Sequence, residues 1–217
     1  MDSNLPMTNT QIHPRSKTNR VLQPFLETLQ TVMENTFKII KSNYERDKKQ
    51  NSPYIIGING IDCAGKTTLA KDLSNELKQS GINNEIFHID DFNNEKVEKE
   101  TYRAFASGNW NENDFNRYYE SIIDFQKARE AVEVASTSNG IVIVEGIFIF
   151  RPHLNNIFNY RIYLEVDAFV ALTRFEERRR LKGDDRPVEI FKDIWVRAHN
   201  KYVSEINPQK ICDLLIQ

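Results

Sequence analysis

The stretch Gly60-Ile61-Asp62-Cys63-Ala64-Gly65-Lys66-Thr67 decides how the rest of this chain is read. It fits G-x-x-x-x-G-K-[ST], a pattern whose glycines let backbone N–H groups turn inward around phosphate oxygens. The apolar run Tyr54–Ile58 before it predicts a short buried strand. Lys66–Gln79 after it predicts a helix with Leu69, Leu73 and Leu77 on one face, closed by Gly81. Strand, glycine loop and helix in that order are the context the motif requires. The helix N-terminus adds partial positive charge where phosphates would sit. The expected nucleotide-binding set is therefore Gly60, Ile61, Asp62, Cys63, Ala64, Gly65, Lys66, Thr67 and Thr68. Lys66 is expected to bridge the β- and γ-phosphates of ATP, and the Thr67 hydroxyl to hold Mg²⁺. Cys63 occupies a variable position of the loop and is read as filler rather than as a redox switch.

Downstream, Glu85–Ile89, Ile141–Val144, Tyr160–Val166 and Ile211–Ile216 read as further strands. Between them Phe115–Ala135 reads as one long helix, and Ala168–Leu181 as a helix capped by Asp167. Another helix is expected from Pro187 to about Val203. This alternation predicts an α/β fold, a parallel sheet with helices on both faces. Ligands in such sheets lie at the carboxyl ends of the strands. Upstream, residues 1–20 read as a disordered lead-in and 21–50 as an amphipathic helix, leaving 51–217 as the α/β domain. The helical stripe is Leu22, Phe25, Leu26, Leu29, Val32, Met33, Phe37, Ile40 and Tyr44. It is expected to dock on the domain that follows, or else on a second copy of the chain in a homodimer.

Composition removes other classes. A net charge of −2 over 217 residues supplies no global basic field for nucleic acid or anionic lipid. The longest apolar run, Ile141–Val144 with Ile147–Phe150 after it, is too short to span a bilayer. Met1–Arg20 has no apolar core of a secretory signal. Cys63 and Cys212 form neither a disulfide framework nor a zinc pattern. The expectation is a cytoplasmic protein whose partner is a small molecule, with no nucleic acid and no membrane.

Two carboxylates fall where strands end. His88-Ile89-Asp90-Asp91-Phe92 closes the second strand and Val144-Glu145-Gly146 the third. Phosphoryl transfer to an alcohol needs an acid that accepts the hydroxyl proton and another that helps hold metal or acceptor. Asp90 is the candidate base, and Glu145 the candidate for the second task. The alternative for Asp90 is a metal-side residue of an ATPase. Further on, Arg174, Arg178, Arg179, Arg180, Lys182 and Arg186 make a basic segment. Arg174 and Arg178 share a helix face, four residues apart, and are expected to neutralise charge on a transferring phosphoryl group. The segment 174–186 is read as a lid that excludes water.

Taken together, Ile56-Gly57-Ile58-Asn59-Gly60, Gly65-Lys66-Thr67-Thr68-Leu69-Ala70, Asp90-Asp91-Phe92, Val144-Glu145-Gly146-Ile147 and the Arg174/Arg178 helix resemble the uridine kinase and phosphoribulokinase-like P-loop kinases, nicotinamide riboside kinase among them. The resemblance runs from Pro53 to Gln217. It implies a P-loop NTPase fold of the small-molecule kinase branch, ATP and Mg²⁺ as cofactors, and a nucleoside or ribosyl-like alcohol as acceptor. It also implies that Asp90 is the general base and that Arg174 and Arg178 belong to the lid. An Asp that grips ribose hydroxyls precedes the long helix in the family. Here Asp114 or Asp124 would take that role. The chain departs from the family in that segment, which reads Gly108-Asn109-Trp110-Asn111-Glu112, and in its N-terminal helix.

Overall fold

The computed structural model describes residues 17–48, 54–136, 140–184 and 186–217; in the first of these stretches, side chains are described for 31–47. Helix α1 (Lys17–Lys48) leads into strand β1 (Tyr54–Gly60), helix α2 (Lys66–Gln79) and strand β2 (Asn84–His88). A 3₁₀ turn (Ile89–Phe92) follows, then α3 (Glu95–Ala106), α4 (Glu112–Ser121), α5 (Phe125–Ser136) and β3 (Ile141–Gly146). The chain continues through α6 (Pro152–Asn155), β4 (Tyr160–Leu164) and α7 (Ala168–Lys182). It closes with α8 (Val188–Ile190), a π-helical turn (Phe191–Val196), α9 (Arg197–Ile206), α10 (Pro208–Ile211) and β5 (Leu214–Ile216).

The five strands form one parallel sheet in the order β2-β3-β1-β4-β5. Every residue of β1 and β3 is buried, as the unbroken apolar runs demand of strands covered on both faces. Their register sets Ile58 beside Glu145, and His88 of β2 beside the same glutamate from the other side. Parallel pairing thus brings the ends of β1, β2 and β3 to one rim.

Three expectations need correction. Phe115–Ala135 is two helices, because the chain is drawn aside at Ile122–Asp124. There the Asn94 amide donates to the Ile122 carbonyl at 2.7 Å, and the Asp124 amide to the Phe92 carbonyl at 2.9 Å. The apolar period continues across the break, since Ile122, Ile123 and Phe125 are all buried. The last strand is Leu214–Ile216, shorter than 211–216, since Pro208–Ile211 completes a helical turn. The helix expected to stop near Val203 runs on to Ile206, where Asn207 takes a left-handed φ of 51°.

Helix α1 begins at Lys17, before the expected Val21, and packs along α2 and β1. Thr36, Ile40 and Tyr44 are buried, Met33 and Phe37 half-buried, and the Tyr44 ring meets Tyr54 edge-on at 6.3 Å. The start of the stripe, Leu22 to Leu29, lies outside the described side chains, and residues 1–16 of the lead-in lie outside the described residues.

Candidate active site

The loop after β1 turns on Gly65, whose φ of +105° strains any residue with a side chain. Gly60, where the loop starts, is steadied from behind. Its amide donates to Asn59 Oδ1 at 2.8 Å, and the Asn59 side-chain amide donates to the Tyr202 hydroxyl. Lys66 is buried, with its ammonium on the Ile61 carbonyl at 3.0 Å. Arg174 reaches over from α7 and donates to the carbonyls of Cys63 (3.3 Å) and Ala64 (3.1 Å). Burial pushes the Cys63 thiol up, so the loop does not activate it as a thiolate.

At the rim, Glu145 is buried and its Oε1 accepts from the Thr67 hydroxyl at 2.8 Å and meets His88 Nδ1 at 2.6 Å. The neighbouring Gly146 is fixed by contact. A Cβ there would lie 1.7 Å from Ile89 Cγ2, so only glycine lets the Asp90 turn press against the end of β3. Asp90 opens to solvent through a crevice, yet the crevice walls strip much of its water and raise its pKa to about 6. Asp62 and Glu145 push in the same direction, against the pull of Lys66 and Arg178.

Two cavities meet at this rim. The larger, about 660 Å³, follows the loop from Asp62 to Thr68 and takes in Asp90, Glu145, Arg174 and Arg178. The smaller, about 260 Å³, is lined by Asn93, Glu98, Tyr102, Tyr118, Lys182, Arg186 and Trp195 among others. Asp62, Asp90 and Arg178 line both. Burial raises the Tyr102 phenol to about 12 and the Tyr118 phenol well above its ordinary range, so both stay protonated as hydrogen-bond donors. Arg186 stacks 5.0 Å from the Trp195 ring and is clasped by Asp184, whose carboxyl falls to about 2 through that hydrogen-bonded pairing. Among the described residues, Asn93 Oδ1 is buried without a hydrogen-bond partner.

The structure brings Lys66, Thr67, Asp90, Glu145, Arg174 and Arg178 together, and leaves Asp114 out. Asp114 lines neither cavity. Its carboxylate instead accepts from the Asn111 amide at 3.2 Å, closing a capping box at the start of α4, and lies 3.7 Å from Arg117. Asp124 is likewise spent, accepting from the Lys127 amide at 3.0 Å at the start of α5. Beside Asp62, Asp90 and the Arg186-paired Asp184, the smaller cavity is lined by Glu98 of α3, eight residues past Asp90, in a polar run that gave no periodic signal. In the sequence His88 alternates with Phe87 along a strand, which suits a structural residue; the β2–β3 register places it on Glu145. His199 is half-buried and stacked on Tyr163, and desolvation lowers it to about 4, so it is a neutral packing element.

Thr67 and Glu145 offer hard oxygens at the phosphate rim, a donor set that suits Mg²⁺. Among the described residues no cluster of three or more His, Cys, Asp and Glu could hold an ion unaided. A metal here would take its remaining ligands from phosphate and water.

A parallel sheet with a glycine loop between its central strand and the next helix defines the P-loop NTPase fold. Within that class the chain has the fold of a P-loop kinase. A structure described as a possible uridine kinase from Bacillus stearothermophilus is similar at a TM-score of 0.53 and 20% identity, over 76% of this chain and 89% of that one. A candidate fructose transport system kinase from a Silicibacter species is similar at 0.52 and 17% identity, over 83% and 98%. No family model matches the chain. Among the described residues no helix is long and apolar enough to cross a membrane.

Proposed function

We propose that this protein is a small-molecule kinase that moves the γ-phosphate of ATP onto a hydroxyl of an acceptor held in the smaller cavity. The observation that carries the reading is Asp90, which lines both cavities at once. A carboxylate at that junction faces the acceptor hydroxyl on one side and the phosphates on the other. Asp90 takes the hydroxyl proton as the oxygen attacks γ-phosphorus. The bond from γ-phosphorus to the β–γ bridging oxygen breaks, and ADP leaves. Lys66, Arg174 and Arg178 neutralise the charge that spreads over the moving phosphoryl group. Thr67 and Glu145 would hold Mg²⁺, which when bound would offset phosphate charge. Helix α7, which carries both arginines, acts as the lid.

The acceptor class is a nucleoside or ribosyl-like alcohol. The smaller cavity mixes carboxylates (Asp90, Glu98), phenols (Tyr102, Tyr118) and an unpartnered amide oxygen (Asn93) with the flat Trp195. That set suits several hydroxyls joined to a flat apolar portion. Glu98, which lines the cavity, takes the hydroxyl-gripping task in place of Asp114, which lines neither cavity and caps α4. The names of the two similar structures support the kinase reading.

The test is ADP formation against a panel of nucleosides, nicotinamide riboside and other metabolite alcohols, with Asp90→Asn beside the wild type. Asp90→Asn should bind MgATP normally and lose about 10²–10⁴-fold in acceptor-dependent turnover. Asp90 is a base only when deprotonated, so wild-type kcat/KM should climb as pH rises through about 6 and then level. Loss of MgATP affinity in Asp90→Asn, with no alcohol stimulating wild type, would make Asp90 a metal-side residue of an NTPase.

A further inference from the structure

The larger cavity has an end that phosphate chemistry does not use. Past Thr68 its lining is Met33, Leu69, Leu164, Val166 and Ile216, with Asp72 and Gln217 as polar members. A nucleoside triphosphate whose phosphates occupy Gly60–Thr67 must place its base in what remains. What remains is an aliphatic slot with a polar edge, the form that holds a flat heteroaromatic ring. Four of its apolar walls belong to the α/β domain itself: Leu69 of α2, Ile216 of β5, Leu164 of β4 and Val166, two residues past β4. The fifth does not. Met33 stands on α1, the segment outside the stretch Pro53–Gln217 that carries the kinase resemblance.

We propose that α1 is part of the nucleotide site, with Met33 covering one face of the base. The neighbouring residues hold it there. Thr36 and Ile40, one and two turns further along the same helix, are buried, and Phe37 is half-buried on the domain. Met33 lies at the edge of that docked stripe, half-buried, where the helix passes the mouth of the cavity. A thioether suits the place because it is flexible and polarizable and makes favourable contacts with aromatic rings. The ligand part recognised is the base and not the phosphate. Occupation of the slot and docking of α1 therefore support one another. This inference rests on the nucleotide reading of the loop.

The test compares MgATP with magnesium tripolyphosphate, which has the phosphates and lacks the base, by calorimetric titration of the full chain. Met33→Ala should weaken MgATP about five- to ten-fold and leave tripolyphosphate unchanged, while Met33→Leu should stay within about two-fold for both. Bound MgATP, and not tripolyphosphate, should also slow oxidation of Met33 to the sulfoxide by dilute peroxide in the unaltered protein, read by peptide mass. That second readout stands even if the alanine variant folds poorly. Equal MgATP affinity in a well-folded Met33→Ala, equal losses for both ligands, or no protection by ATP would overturn the proposal. Wild-type protein that binds neither ligand would instead overturn the nucleotide reading, and this proposal with it.

Discussion

The two cavities that meet at Asp90 are built in opposite ways. The phosphate end of the larger one is mostly one loop, seven consecutive residues from Asp62 to Thr68 bent at Gly65 at the start of a helix. The smaller one is side chains, drawn from the turn after β2 and from α3, α4, α7 and the π-helical turn, across residues 62 to 195. The difference follows from what each has to recognise. Phosphate is the same in every nucleotide, and backbone amides bind it without needing particular side chains. An acceptor differs from enzyme to enzyme, so its site has to be written in side chains that can change.

If that division holds, substitutions on the two sides should fail differently. The largest effect belongs to Lys66→Ala. It should lower turnover by about 10³-fold or more while thermal unfolding hardly moves, because the ammonium acts on phosphate charge. Activity within a few-fold of wild type would break the comparison at its stronger half. Next is Arg178→Ala, at the boundary of both cavities, with kcat expected to fall about 10²–10³-fold. A change in melting temperature alone would reduce Arg178 to packing on Phe175. On the acceptor side, Glu98→Gln should raise the acceptor KM about ten-fold with kcat and MgATP affinity nearly unchanged. A fall in MgATP affinity instead would merge the two regions into one. The smallest effect is Asp114→Asn, which should leave both kinetic constants within two-fold. It should lower stability by about 0.5–1 kcal/mol through the weakened cap, measured by denaturant titration. A lost acceptor response there would restore Asp114 to the site.

The same contrast explains what could be read in advance. The glycine loop and the fully buried β1 and β3 were legible because local chemistry dictates them. The placement of Asp90 and Glu145 at one rim was legible because the ends of parallel strands gather on one side of the sheet. The acceptor wall was not. Glu98 sits in Glu95-Lys96-Val97-Glu98-Lys99-Glu100, a run that looks like an ordinary solvated helix face. Asp114 was misplaced because a carboxylate three residues into a helix can cap it as readily as bind a ligand, and here Asn111 claims it. The single long helix of 115–135 failed because nothing in its apolar period announces that Phe92 and Asn94 will bond to its middle. The pairing of His88 with Glu145 was not legible because it depends on which residue lies opposite His88 in another strand.

The π-helical turn at Phe191–Val196 carries Trp195 to the smaller cavity in the middle of an otherwise α-helical run. Such a turn holds one residue more than an α-helix would need for the same advance. It therefore behaves as an adjustable joint. Deleting one residue there would restore ordinary winding with the helix beyond it left in phase, and would change which side chains of the turn itself face the cavity. The loop at Gly60–Thr68 lies on other elements and would keep its sequence and its chemistry. A lineage could in this way retune the molecule it phosphorylates by insertion and deletion, with the phosphate-handling half inherited intact.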